Sequence, residues 1–466
     1  CTDGRCGAGA GCEPGFVLGC ADGTSRRVCN ADGTNYEAVA CDEGLFCFRG
    51  SCGTQICEPD TLGCDETGRY VLLCAPSGEE LVRSAECNPR ENLACVAGEC
   101  VSGCAAALKN PTYIGCEYWT VDLPQFEDPF GDPRVIPHAV VLANTGERAA
   151  DITVDTRGDV AVTTAAVTIP PGAVETIIFP RADVENTSRS MRSFRISASE
   201  PVVAYQFNPL NNVGVASNDA SLLLPASAIG REYYVMSWPS GIVTPFAPTA
   251  QTGWFTVVAT REGETRVTIT FTSDVFDTAG TGLLSTPADM RGIRRGETRT
   301  FRMQQYEVLN FEAKSAFTSI GDLTGSHIEA DRPIVVFGGH EEAVLGEGGV
   351  GPDGQQESAC CADHLEEQLF PVETWGLRYL AVHSPPRGNE VDYWRVLAAR
   401  DGTRITTNPA IPDLDGRTLN AGQWVEITTT QSFEIAGSQP IMVGQYLVSQ
   451  QDQGITRTTG DPSFIL

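Results

Sequence analysis

At 466 residues the chain is too long for a single hydrophobic core, and with 41% hydrophobic residues it can fill several. A net charge of −28 argues against nucleic acid as a partner and against attraction to anionic lipid. No apolar run approaches the roughly 18 residues needed to cross a bilayer as a helix.

Sixteen of the 18 cysteines fall within residues 1–116 and recur with a period of about 45. After Cys1 and Cys6, a set at Cys12, Cys20, Cys29, Cys41, Cys47 and Cys52 returns as Cys57, Cys64, Cys74, Cys87, Cys95 and Cys100, followed by Cys104 and Cys116. Repeats this small have no core of their own and persist where disulfides survive, which places the protein outside the cell or on its surface. Zinc is disfavoured because there is no C-x2-C pair and no histidine before His138. Six cysteines admit about fifteen pairings, so connectivity stays open. Cys1 is either a position in mid-array or, if it is a mature N-terminus, a site for a lipid anchor.

From residue 117 the chain alternates β-branched and polar residues between Gly, Pro, Asn and Asp turns, which predicts an all-β region. Comparing this region with itself gives three units, 117–231, 232–377 and 378–466. Each opens on an aromatic strand ending in proline: Glu117–Pro124, Glu232–Pro239 and Arg378–Pro385. A hairpin is expected next, His138–Asn144 into Asp151–Val154, Trp254–Ala259 into Arg266–Ile269, and Tyr393–Ala398 into Arg404–Thr407. A strand then precedes or contains Pro201, Pro333 or Pro440, and an acidic, leucine-rich segment closes each unit: Asp219–Pro225, Asp363–Pro371 and Asp461–Leu466. About seven strands per unit predict three tandem β-sandwich-like units behind the disulfide-rich repeats, with a β-propeller as the alternative. The third unit is expected to lack a final strand, leaving an open edge able to accept a strand from another subunit.

Few residues suggest chemistry. His340, Asp363 and His364 are the candidate metal ligands, with buried hydrogen bonding at a strand end as the plain alternative. Asn208, Asn218 and Asp219 carry oxygens suited to calcium or to sugar hydroxyls, although Asx turns explain the same composition. Adjacent Cys360 and Cys361 are read as a structural disulfide or redox pair in the loop after His340. The chain has no G-x-S-x-G elbow, no P-loop and no H-E-x-x-H, and its five histidines are scattered, so no catalytic residue is nominated.

The segments Pro201–Pro209, Ser217–Pro225, Asp322–Ser326, Asp331–His340 and Asp363–Pro371 with Trp375-Gly376 resemble the N-terminal domain of the IgG Fc-binding protein family. The resemblance covers about 117–466, and the preceding cysteine array looks like that of bacterial, myxobacterial-type secreted members. It implies an extracellular adhesive or matrix-forming module. Glu341 and Glu342 follow His340 where animal members carry a cysteine, so the family's usual bridge is not expected here. The sequence thus predicts a non-enzymatic surface protein that binds protein or glycan multivalently and forms a homo-oligomer or fibre. A lectin-like ligand-binding module and a secreted hydrolase are the alternatives.

Overall fold

A computed structural model describes residues 12–42, 45–88, 93–109, 111–126, 132–158, 160, 166–211, 213, 217–241, 251–277, 286–316, 318–350, 356–358, 362–449, 452, 454–455 and 463–466. The chain divides into two compact units, 1–109 and 110–466. Secondary structure is nearly all β, as expected; the one described α-helix is the short Gly103–Lys109. No described helix is long and apolar enough to cross a membrane.

In the first unit each six-cysteine set folds as a three-stranded antiparallel sheet followed by a hairpin. The first set uses Val17–Asp22, Ser25–Cys29 and Tyr36–Ala40, then Phe46–Phe48 with Ser51–Gly53. The second uses Leu62–Cys64, Tyr70–Cys74 and Leu81–Glu86, then Leu93–Val96 with Glu99–Ser102. Both sets share one connectivity: Cys12–Cys29, Cys20–Cys47 and Cys41–Cys52 correspond to Cys57–Cys74, Cys64–Cys95 and Cys87–Cys100. The cysteines themselves stand where a core would be. In the second set the buried cluster is Val71, Cys87 and Cys95, with Cys64, Leu93 and Cys100 packed against it. No described cysteine is free. Cys1, Cys6, Cys360 and Cys361 lie outside the described residues.

The second unit holds three β-sandwiches with one topology. In the first, Gly115–Val121, Ala150–Asp155 and Val167–Ile169 form one sheet with the N-terminal half of Ser193–Asn208. The C-terminal half of that 16-residue strand pairs with Ala139–Ala143 and Asp219–Leu222 in the facing sheet, which Val174–Ile178 extends. Pro201 sits where the strand passes from one sheet to the other, a place where a missing N–H costs no ladder bond. Pro333 and Pro440 stand at the same crossing, between His327–Ala330 and Ile334–Ala343 and between Phe433–Gly437 and Ile441–Leu447. The second sandwich pairs Glu232–Tyr234, His327–Ala330, Thr265–Thr270 and Thr298–Met303 in one sheet. Its other sheet orders Ser188–Ser190, Val308–Glu312, Gly253–Ala259, Ile334–Ala343 and Asp363–Gln368. The third repeats the scheme with Arg378–Ala381, Phe433–Gly437, Thr403–Asn408 and Thr418–Leu419 against Trp424–Thr429, Asp392–Ala398, Ile441–Leu447 and Ser463–Ile465.

Two sequence expectations change. The predicted hairpins do not form, because Ala139–Ala143 and Ala150–Asp155 lie in opposite sheets, as do their counterparts in the other sandwiches. Alternation identifies a strand and its buried face, but not its hydrogen-bonded neighbour, and a short connection serves as well for an arch between sheets as for a tight turn. The edge expected to be open in the third sandwich is taken by Ser463–Ile465, paired with Gln445–Leu447. Within the closing segment, Ser463–Ile465 is itself the last strand of this sheet.

The sandwiches do not hang as separate beads. One apolar cluster contains Trp119, Phe194 and Leu142 of the first together with Trp254, Val308 and Phe337 of the second. Another joins Tyr234, Met236 and Phe255 of the second to Leu397, Met442 and Tyr446 of the third. Interfaces buried like domain interiors make this unit stiff.

Candidate functional site

The closing strands of the sandwiches meet. Asp363–Gln368 pairs along one flank with Ile334–Ala343, opposing His340 to Leu365 and Gly339 to Glu366. Glycine is required here: a Cβ on Gly339 would lie 1.9 Å from the Leu365 carbonyl oxygen, and one on Gly338 2.2 Å from that of Met236.

The other flank of Asp363–Gln368 faces Asp219–Leu222, and no backbone ladder joins the two. Side chains at every second position replace it. Ser217 Oγ accepts from the His364 N–H at 2.6 Å, Asp219 Oδ2 from the Glu366 N–H at 3.1 Å, and Ser221 Oγ from the Gln368 N–H at 2.7 Å. Reciprocally, Asp363 Oδ1 accepts from the Asn218 N–H at 2.9 Å and Gln368 Oε1 from the Leu224 N–H at 2.8 Å. Because side chains alternate along a strand, residues 217, 219 and 221 share one direction and can meet amides 364, 366 and 368. Two edges that would otherwise expose unpaired donors close each other. The third sandwich joins through Ser463 Oγ, which donates to Asp219 Oδ1 at 3.4 Å.

Beneath this seam lies a buried proton-holding cluster. Gln206 Nε2 donates to both Glu366 oxygens at 3.3 Å, and Thr120 Oγ1 donates to Gln206 Oε1. His364 Nδ1 is 3.3 Å from the Glu341 carbonyl oxygen, and its Nε2 is 3.4 Å from Glu366 Oε2. Burial keeps the His364 ring neutral and a carbonyl can only accept, so its one proton is on Nδ1 and Nε2 is left as an acceptor. Glu366 must then donate, which requires a neutral carboxylic acid. Burial acts the same way, pushing Glu366 well above the ordinary carboxylate range and His364 down to about 4. Asp219 and Glu367 are likewise pushed well up, chiefly by burial.

The sequence candidates therefore divide. Asp363, His364, Asn218 and Asp219 meet in the seam, which the Asp363 and Asp219 side chains and the backbone N–H groups of Asn218 and His364 bridge. Asn208 lies behind it, donating through Nδ2 to the Leu123 carbonyl at 3.1 Å and accepting at its own carbonyl from Gln125 Nε2 at 2.8 Å. His340 is buried, its Nδ1 accepting from the Glu342 N–H at 3.1 Å, and burial pushes it down to about 3. Among the described residues no three His, Cys, Asp or Glu side chains come together as a metal site. Ser217, Ser221, Gln206, Glu366 and Gln368 complete the cluster. Their signal was present in the Ser-x-Asp-x-Ser alternation opposite His-x-Glu-x-Gln.

A second feature lies where the second and third sandwiches meet. Arg395, fully buried, is held between Trp238 and Trp424, its guanidinium carbon 4.4 and 4.3 Å from their ring centres. It donates to the Ser237 carbonyl at 2.7 Å, to Glu426 at 2.8 Å and to Asp322 at 3.1 Å. Nearby, a cleft of about 510 Å³ is lined by Tyr234, Thr272, Arg295, His327, Gly422 and Gln423, among others.

Comparison with known proteins places the sequence rather than the fold. A relative is the IgGFc-binding protein of Homo sapiens, 24% identical over 338 residues, which are 70% of this chain but 5% of that protein. No solved structure matches. The family model described as IgGFc binding protein matches residues 219–466, which begin at the first seam strand and run through the second and third sandwiches. The chain belongs to the IgGFc-binding protein family.

Proposed function

We propose that the protein is an extracellular adhesive scaffold that binds a protein partner, or a glycan on a surface or matrix, through repeated faces of its sandwiches. The observation that carries this reading is the two apolar clusters that fuse the sandwiches. A rigid body presenting related surfaces at fixed spacing gains avidity from weak contacts without reorganising. The disulfide array fits the same extracellular setting. The seam groups that would otherwise suggest chemistry are spent on holding strands together, so the reading assigns no catalytic residue. The relative's name supplies a first probe, the Fc region of immunoglobulin G. The test is binding of the purified chain to immobilised Fc and to arrays of extracellular proteins and glycans, compared for single and clustered presentation. Binding that strengthens with clustering is expected. Failure to bind any of them, or turnover of one, would sink the proposal.

The cleft at the junction of the second and third sandwiches favours a second reading, a lectin-like site. The polar side chains of Thr272, Arg295, His327 and Gln423 line an open cleft and suit sugar hydroxyls. Competition by a free monosaccharide, lost in His327→Ala, would favour this over the protein-binding reading.

A further inference from the structure

The two internal junctions use the same pair of faces. One is the outward side of the sheet built on Gly253–Ala259 or Asp392–Ala398. In the second sandwich its Trp254, Val258 and Phe337 pack into the first. In the third its Arg395, Leu397 and Tyr446 pack onto the second. The other face is the outward side of the opening aromatic strand. Trp119 of the first sandwich meets Tyr306 of the second at 4.8 Å, and Tyr234 of the second lies beside Gly422 of the third. Tyr306 and Gly422 occupy the same turn, directly before the strands Val308–Glu312 and Trp424–Thr429.

Each face has one further copy that neither junction uses. In the first sandwich the docking side of the Ala139–Ala143 sheet exposes Val174 (61%), Ile178 (52%) and Tyr205 (44%). In the third sandwich the receiving strand exposes Leu380 (78%) and Val382 (61%), the positions held by the buried Tyr234 and Met236 in the second. Apolar side chains this exposed and clustered on a sheet mark an interaction surface.

The two vacant faces also match each other. The register puts Val141 where the second sandwich has Thr256 and the third Arg395. Arg395 needs the Asp322 carboxylate from the loop before His327–Ala330. In the third sandwich that loop is only Thr430-Gln431-Ser432, with no acid. A face without the cation meets a face without its counter-ion.

We infer that a second copy of this chain docks head to tail, its Val174–Ile178–Tyr205 face on Leu380 and Val382 of the first, with the Gly172 turn against Leu380. Such a junction is heterologous: each added copy presents the same free face, so copies extend into filaments unless the rotation closes a ring. This goes beyond the adhesive reading, and it replaces the strand exchange expected at the third sandwich with docking of whole faces.

The test is sedimentation of the full chain over a concentration series, with Ile178→Asp and Leu380→Asp as single-face variants. Both positions are at the surface, and unchanged thermal melting verifies folding. The wild type is expected to grow with concentration. Each variant alone is expected to stay monomeric, with association weakened about tenfold or more. Mixing the two variants is expected to give a two-chain species that does not extend, because one intact face of each kind remains. A wild type that stays monomeric, variants that assemble like wild type, or a loss caused by Ile178→Asp alone would each overturn the inference. The last would mean that the first face pairs with itself or with another protein. Failure of ligand binding with assembly intact would count against the adhesive reading only.

Discussion

Tyr233 Oη donates to the carbonyl oxygen of Ile334 at 2.8 Å, joining the first strand of the second sandwich to the residue after the crossing proline. The bond recurs: Tyr118 donates to the Val202 carbonyl and Tyr379 to that of Ile441, at 2.9 Å. In the second and third copies the hydroxyl also accepts a backbone N–H, from Gly230 or Gly376. Each sandwich therefore fixes its opening strand to the crossing point by one phenol, while the ring fills the core.

Tyr233→Phe keeps the ring and leaves the Ile334 carbonyl and the Gly230 N–H unpaired. It is expected to cost about 1–3 kcal/mol, the range for an unsatisfied buried group. Tyr379→Phe should cost less, because Tyr379 is only partly buried. Denaturant melts of the two single variants and the double would check this. The pair should add, since the residues are in separate sandwiches.

Arg395 supplies a second prediction. Arg395→Ala strands Asp322 and Glu426 without their cation and empties the space between Trp238 and Trp424, for an expected loss of about 3–5 kcal/mol. Arg395→Lys restores a charge but not the planar fork that bonds and stacks at once, so it should recover only part of the loss. Thermal melting with tryptophan fluorescence reads both changes, because the two indoles flank the site.

How far the sequence reached is visible at these positions. Alternating hydrophobicity marked the strands, and self-comparison aligned Tyr118, Tyr233 and Tyr379, because buried faces and turns leave local traces. Pairing partners left none, so the arches between sheets were misread as hairpins. The seam was half legible. His364, Asp363, Asn218 and Asp219 stood out as chemistry-bearing residues. Their task of closing two strand edges depends on contacts between residues 144 or more positions apart, which no local pattern encodes. Arg395 was missed entirely: one arginine inside a strand gives no sign that aromatic rings from another sandwich enclose it.

The shared connectivity of the cysteine sets gives a graded expectation. Loop-closure entropy makes Cys64–Cys95, spanning 31 residues, worth about 3.7 kcal/mol against about 2.9 for Cys87–Cys100, spanning 13. Since the buried cluster of that repeat is built largely from its cysteines, paired serine replacement at Cys64 and Cys95 should expose residues 57–100 to proteolysis. Replacement at Cys87 and Cys100 should do so at higher denaturant. Equal sensitivity would mean that packing rather than loop closure sets stability there.

The buried cluster under the seam sets opposing pH dependences. Glu366 holds its proton in the fold far above the ordinary value of 4.5, so above pH 4.5 the unfolded chain binds fewer protons than the folded one. Its stabilising contribution is complete below that pH and falls as pH rises, at about 1.4 kcal/mol per unit until the folded group ionises. Glu366→Gln keeps a neutral donor and acceptor but cannot ionise, so its stability should fall less than that of wild type as pH rises. His364 works in the other direction. Its folded value near 4 against 6.5 unfolded means that stability is complete above pH 6.5 and lost as pH falls toward 4, a change of about 3 kcal/mol. In His364→Gln that acid-side loss should shrink by this amount. Melting both variants and wild type from pH 4 to pH 8 separates the two terms, because only the change with pH is compared and any packing defect cancels. If the Glu366→Gln profile runs parallel to wild type throughout, the carboxyl is ionised in the fold, and the proton assigned between Glu366 and His364 is misplaced.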